Sequence, residues 1–280
     1  MDFNLAIEFL LKDSCWMKDN LPLVVAYGGG TNSVAMLCGF LEREIKPELI
    51  VFADTGGELP HTYNHIEMMS KKTTEWWGVP IEIVAKTYQK EQTSLESDCL
   101  RNKTLPALAF GSKACSVKYK LEPKHKFVNR WMAERNYTEA ISAVGYDAGE
   151  GHRSLGIKQN DVGKGRIEIS WFPLIEWMWK RQDCIKTIQR HKLPLPGKSS
   201  CFFCPSMKLA EIIRLRKDYP EYFERAINLE KNMVVKGRIE GLHFGVKWSD
   251  IVAADDDQLQ MFEWLDKNDT AKIPCGCYDG

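Results

Sequence analysis

Short apolar runs recur along the first half of the chain, each closed by glycine or an acid and followed by a helical period. Leu23-Val24-Val25-Ala26-Tyr27 reads as a buried strand, Gly28-Gly29-Gly30 as a tight turn, and Asn32 onward as a helix with Val34, Met36, Leu37 and Leu41 apolar. Leu49 to Ala53 is a second strand that ends at Asp54-Thr55-Gly56-Gly57 and leads into a helix reaching Trp77. Gly78-Val79-Pro80 turns into a third strand, Ile81 to Val84. Residues 87 to 112 are polar and weakly periodic, and read as a flap or a long surface connection. A helix follows over Lys120 to Arg135, a strand over Glu139 to Val144, a loop over Ala148 to Gly165 and a strand over Ile167 to Trp171. Beyond Arg181 the pattern is helical, broken at Pro194-Leu195-Pro196-Gly197. Strands alternating with helices predict βαβ units, hence an α/β fold with a doubly wound parallel sheet. The expected organisation is a helix over 1–20, the α/β domain over 21–178, and a mostly helical, cysteine-bearing extension over 179–280 packed on it.

Of the 280 residues 44% are hydrophobic and 27% charged, which excludes disordered and coiled-coil classes. No stretch is apolar enough to span a membrane, and the first residues carry acid where a signal peptide needs base, so a cytoplasmic protein with no membrane partner is expected. Basic and acidic residues balance at 38 each, but unevenly along the chain. Ser112 to Arg135 holds seven Lys/Arg against two Glu, Lys180 to Lys192 five against one acid, and Asp250 to Gly280 eight acids against two bases. That asymmetry suits an anionic substrate held mid-chain, although each run also suits a solvated helix face.

Nine cysteines in a cytoplasmic chain point to buried thiols, metal ligands or redox work rather than a disulfide framework. Cys38 and Cys184 fall in apolar helical patterns and read as packing. The pairs Cys201-Phe202-Phe203-Cys204-Pro205 and Cys275-Gly276-Cys277 are harder to explain that way.

Ligands of an open parallel sheet bind beyond the carboxyl ends of its strands, where helix N-termini face an anion. Gly28 to Gly30 let backbone approach phosphate, Thr31 and Ser33 offer hydroxyls, and the next helix supplies its positive pole. The loop has neither the Gly-Lys-Ser/Thr ending of a Walker loop nor spaced dinucleotide glycines. Asp54 and Glu58 at a strand end suit ribose or Mg²⁺, or helix capping, while Lys120 and Arg153 suit a phosphate or sulfate clamp, or plain surface charge.

Tyr27-Gly28-Gly29-Gly30-Thr31-Asn32-Ser33 resembles the PP-loop, Ser-Gly-Gly-x-Asp-Ser, of the adenine nucleotide alpha hydrolase superfamily. Phe52 to Thr62 is similar to the Asp/Asn-Thr-Gly signature of its phosphoadenosine phosphosulfate (PAPS) reductase branch. Lys113 to Pro123 resembles that branch's Cys-x-x-x-x-Lys-x-x-Pro segment, Gly145 to Arg153 its Gly-Ile-x-x-Asp-Glu-x-x-Arg loop, and Trp171 to Trp177 the strand before its cysteine pair. Asn32 stands where the PP-loop has Asp, and Gly28 where it has Ser; the reductases proper carry a different loop, so this one sides with the ATP-handling members.

The resemblance implies a Rossmann-like fold of the PP-loop type that binds ATP or a related adenylate (APS or PAPS) with Mg²⁺. Tyr27, Gly28, Gly29, Gly30, Thr31, Asn32, Ser33, Asp54, Thr55, Gly56, Glu58, Gly145 and Glu150 would hold the nucleotide, and Cys115, Lys120 and Arg153 would be catalytic. Cys115 lies 86 residues before Cys201, a separation similar to that in iron–sulfur adenylylsulfate reductases, with Ala114 replacing a first cysteine. Cys115, Cys201 and Cys204, completed by Cys275 or Cys277, are thus the candidate ligands of a 4Fe–4S cluster, with Cys₄ zinc and free thiols as alternatives. The implied activity is ATP-dependent sulfur transfer, using a sulfur donor protein and a nucleic-acid acceptor. An oxidoreductase forming sulfite from APS or PAPS, and a regulatory or defence protein that binds nucleotide without turnover, are the alternatives.

Overall fold

The computed structural model describes residues 21–155, 159–234, 241–243 and 246–253. The helix expected over 1–20 and the Cys275-Gly276-Cys277 tail lie outside them. The strands are β1 (Leu23–Ala26), β2 (Leu49–Asp54), β3 (Ile81–Ala85), β4 (Thr87–Tyr88), β5 (Glu91–Gln92), β6 (Glu139–Val144), β7 (Gln159–Gly163) and β8 (Arg166–Trp171). The helices are α1 (Thr31–Glu42), α2 (Pro60–Trp77), α3 (Leu95–Arg101), α4 (Glu122–Glu134), α5 (Pro173–Glu176), α6 (Arg181–Arg190), α7 (Leu209–Asp218), α8 (Pro220–Asn232) and α9 (Trp248–Ala253).

A six-stranded sheet runs in the order β3-β2-β1-β6-β8-β7, every neighbouring pair parallel except the β7 edge. Its strands are apolar on both sides because both faces are covered. Leu23, Val25, Ile50, Phe52 and Ile141 share one core with Val34 and Leu37 of α1, Ile66 and Met69 of α2 and Ile188 of α6. The alternate residues Val24, Leu49, Val51 and Ala140 meet Val128, Trp131 and Met132 of α4 on the other face. Each large side chain fully buried in this way contributes about 1.5–3 kcal/mol. This is the doubly wound arrangement expected from the alternation of strands and helices. A buried ion pair ties α4 to the sheet, with Lys124 Nζ 3.0 Å from Glu168 Oε1 and donating to Ser142 Oγ at 3.0 Å.

Three stretches differ from the sequence expectation. Residues 87 to 112 hold the β4–β5 hairpin, α3 and a 3₁₀ turn at Ala107–Phe110 rather than a plain connection. Polar side chains build it: Lys86 Nζ donates to Asp98 at 2.8 Å, Thr93 Oγ1 donates to the same carboxylate at 3.0 Å, and the Tyr119 hydroxyl donates to it as well. The Ala148–Gly165 stretch contains a 3₁₀ turn, Ala148–Arg153, and strand β7, whose residues are too polar to betray an edge strand. Before α4 the chain is already helical from Ala114, passing through a π-helical turn at Val117–Leu121.

The last third of the chain packs a second core against this insertion. Phe202, Phe203, Ile212, Leu215, Phe223, Ala226 and Trp248 meet Leu95, Cys99, Leu105 and Tyr119 there. Among the described residues, no helix is long and apolar enough to cross a membrane.

Candidate nucleotide and cysteine site

The chain builds β1, β2 and β3 outward in one direction and then returns to the far side of β1 as β6. The carboxyl ends of β1 and β6 therefore part, and a crevice opens between the Gly28–Gly30 loop and the loop after Val144. Backbone meets backbone at its base: a Cβ on Gly145 would lie 3.1 Å from the Ser33 amide nitrogen. Gly29 has φ +74°, a conformation that disfavours a side chain, although a Cβ there would meet only ordinary contacts with Ile66, Thr62 and Phe52 on the protein side of the loop. Its glycine thus serves the turn and does not clear room for a ligand.

Gly30 is the N-cap of α1 in extended conformation, and no side chain caps the helix. Thr31, Asn32 and Ser33 are buried in its first turn, with Ser33 Oγ donating to the Gly30 carbonyl at 3.0 Å. Asn32 is the hub of the crevice. Its amide nitrogen donates to Asp147 Oδ2 at 3.1 Å and Glu150 Oε2 at 2.9 Å, while its Oδ1 accepts from Arg181 at 3.0 Å. Only an amide can donate to two carboxylates and accept from a guanidinium at once. The carboxylates absent from position 32 are supplied from the β6 loop. Arg153 donates to Glu150 Oε1 at 2.6 Å and stacks 4.2 Å from the Tyr146 ring, which places it behind the acid rather than at the front of the crevice. The cavity in front of α1 has a volume of ≈ 550 Å³ and is lined by Arg181, Lys198, Ser199 and Lys208 together with Asp147, Glu150 and Glu211, the last paired with Lys198 at 2.6 Å. Ser199 donates to the Gly28 carbonyl, fastening the loop from above. Arg181 and Ser199 escaped sequence reasoning because their partners, Asn32 and Gly28, lie 149 and 171 residues away.

Tyr27 is buried on the α1 side, and burial together with the Cys38 thiol raises its hydroxyl above the ordinary range. Asp54 accepts from the Gly56 amide at 2.7 Å and the Tyr63 hydroxyl at 2.9 Å, so its carboxylate shapes the turn after β2. Gly56 has φ +70°, and a Cβ there would sit 2.5 Å from Ser94 Cβ. Glu58 is buried beside this turn.

The same turn carries the cysteines. Gly57 accepts from the Phe202 amide at 2.7 Å, and Thr55 Oγ1 lies 3.0 Å from Cys201 Sγ. Cys115, Cys201 and Cys204 line one small cavity with Thr55, Leu95, Pro106, Phe203 and Lys120. Cys204 Sγ is 3.1 Å from Ser206 Oγ. Burial pushes the Cys115 thiol up, against local backbone hydrogen bonds and Lys120, which pull it down. Lys120 also lines a second cavity, with Tyr27, Gly28 and Ala53, and so stands between the glycine loop and the sulfur atoms. Among the described residues, no three His, Cys, Asp or Glu side chains are placed to hold a single metal ion. Three thiols on one cavity whose walls are largely apolar are donors of the kind that hold an iron–sulfur cluster.

An uncharacterised protein of Methanocaldococcus jannaschii is 25% identical to this chain over 242 residues, covering 82% of the chain and 45% of that protein. The chain thus spans less than half the length of this curated relative. A U34-tRNA thiolase from Methanococcus maripaludis, solved with its 4Fe–4S cluster, superposes with a TM-score of 0.45 at 16% identity, covering 85% of this chain and 82% of that one. Residues 22–197 match the phosphoadenosine phosphosulfate reductase domain, the region that holds the glycine loop, Asn32, the β2 turn, Cys115 and the β6 loop, and the chain belongs to that family.

Proposed function

We propose that this chain is an adenine-nucleotide-dependent sulfur-transfer enzyme. The observation that carries the reading is the convergence of Cys115, Cys201 and Cys204 on one cavity that shares Lys120 with the cavity at the glycine loop. A nucleotide held by Gly28 to Ser33 and the α1 N-terminus would turn its phosphates toward Arg181, Lys198 and Lys208, with Mg²⁺ beside Asp147 and Glu150. Attack of an acceptor oxygen on the α-phosphorus would release pyrophosphate and leave the acceptor adenylated. A sulfide equivalent entering from the cysteine cavity then displaces AMP, which departs with that oxygen. Lys120 is placed to hold charge between the two cavities. Cys115, Cys201 and Cys204 would hold an iron–sulfur cluster, whose chemistry when bound is to carry the sulfur atom or electrons. Family membership favours a second reading, reduction of a sulfonucleotide to sulfite with Cys115 as nucleophile.

Protein purified without oxygen is expected to carry iron and acid-labile sulfide with a broad visible absorption. Cys115→Ser, Cys201→Ser and Cys204→Ser should each lose it. ATP should yield pyrophosphate only when the acceptor is present, and AMP only when sulfide is present as well. Sulfite release from APS or PAPS, with no ATP turnover, would replace the first reading by the second.

A further inference from the structure

The basic run between Ser112 and Arg135 divides in two when folded. Lys120 and Lys124 turn inward to the cavity at the glycine loop, whereas Lys118, Lys126 and Arg130 line an open groove of ≈ 370 Å³ along the free edge of β3, joined by Lys86. Glu122 is the one acid among the groove's lining residues. Lys118 and Lys126 are exposed and have no ion-pair partner among the described residues. The groove is not merely charged. Ile83 is 55% exposed in it, Phe127 lies under the Arg130 guanidinium at 5.3 Å, and Tyr88 nearby is exposed with Arg101 4.4 Å above its ring. Cations interleaved with flat apolar faces are what a single nucleic-acid strand requires, phosphates on the one and bases on the other. An edge strand guarded against pairing carries charge on the strand itself, as β3 does with the exposed Glu82. Here three of the four cations come from the helical segment opposite.

Placement adds direction. Lys118, Lys126 and Arg130 extend over about 18 Å of helix, enough to meet several successive phosphates. The π-helical turn Val117–Leu121 sends Lys118 out to the groove and Lys120 in to the cysteine cavity, so the groove and the cavity lie on either side of one helical turn. We infer that this groove binds a single-stranded segment of nucleic acid; that the bound strand carries the sulfur acceptor rests on the sulfur-transfer reading above.

Binding of a fluorescently labelled single-stranded RNA to the full chain, followed by anisotropy over a salt series, tests the groove without turnover. Wild type should bind with affinity falling steeply in salt. The double variant Lys118→Glu/Lys126→Glu should lose at least about tenfold, and its log–log salt slope should shrink by about 1.4. ATP affinity should be unchanged, because neither lysine lines the nucleotide cavities. Wild-type RNA affinity and slope in the double variant, or no RNA binding by wild type at low salt, would overturn the assignment. Equal displacement of the RNA by polyglutamate of matched charge would make the groove a site for acidic protein segments and overturn it too. Lysine-dependent RNA binding in a protein that fails to bind ATP would sink the sulfur-transfer reading and leave the groove standing.

Discussion

Asn32→Asp should lower the stability of the protein by about 2–4 kcal/mol at neutral pH, and the loss should depend on both pH and Mg²⁺. The Asn32 amide nitrogen donates to Asp147 and Glu150 at 3.1 and 2.9 Å, and its oxygen accepts from Arg181 at 3.0 Å. Hydrogen bonds to charged groups are worth about 1.5–3 kcal/mol each, and the aspartate would forfeit two of them. It would also set a third carboxylate against the first two. At an effective dielectric constant of about 20, a like-charged pair at 4 Å costs about 4 kcal/mol, so two such pairs stand against one new attraction to Arg181. Relaxation and solvent at Glu150, whose side chain is 31% exposed, reduce the net to the range given. The sign with pH follows from linkage. In the variant, proton uptake by the crowded carboxylates relieves the repulsion, so the deficit is small in acid and grows as pH rises. Mg²⁺ should offset it, because three carboxylates at one crevice suit a hard cation. Urea unfolding near pH 5 and pH 8, with and without Mg²⁺, measures all of this. A variant as stable as wild type near pH 8 in Mg²⁺-free buffer would refute the reasoning, since it would mean that the amide does not bridge the two acids.

Two glycines with similar backbone angles should respond differently to alanine. Gly56→Ala, where the new carbon would sit 2.5 Å from Ser94 Cβ, should cost about 2–4 kcal/mol in urea unfolding, and Gly29→Ala, with no contact closer than 3.6 Å, only about 1–2 kcal/mol. Equal losses would mean that the β2 turn can move away from Ser94. Burial pushes the Asp98 carboxyl up, but hydrogen bonds from Lys86, Tyr119 and Thr93 outweigh it and hold it at about 2. A depressed carboxyl stabilises above its unfolded value and loses that contribution as pH falls, so Asp98→Asn should cost about 2 kcal/mol near neutrality, the gap to wild type closing between about pH 4 and pH 2. Burial pushes the Cys38, Cys99 and Cys184 thiols up to about 12, so iodoacetamide should leave them unmodified in folded, cluster-free protein while the partly exposed Cys115 and Cys201 react first. Mass spectrometry of the alkylated protein checks this, and labelling of Cys184 at the rate of Cys115 would contradict it.

The sheet was legible because its strands are short apolar runs flanked by helices with strong periodicity. Leu49 to Ala53 and the helix to Trp77 carry their ends in local chemistry, with Pro60 at the helix start and Gly78, φ +72°, at its close. Strand β7 was not legible, since Gln159, Asn160 and Asp161 give no alternation and pairing with β8 alone makes them a strand. The segment from Lys86 to Phe110 was opaque for a related reason, as its order comes from hydrogen bonds that converge on Asp98 and from the apolar partners that Phe202 and Phe203 bring from a hundred residues away.

The candidate site divides along the same line. Sequence alone determined the identity of the glycine loop, the β2 turn and the cysteine motif, because each is a local run whose residue types are required by its own backbone or chemistry. Only the tertiary structure decided that Asn32 bridges Asp147 and Glu150, that Cys115 shares a cavity with Cys201 and Cys204, and that one helical turn divides Lys118 from Lys120 between an open groove and a closed cavity. Those relations depend on where the strand order reverses and on which loops that reversal brings together, and such long-range geometry leaves no periodicity in the chain to read.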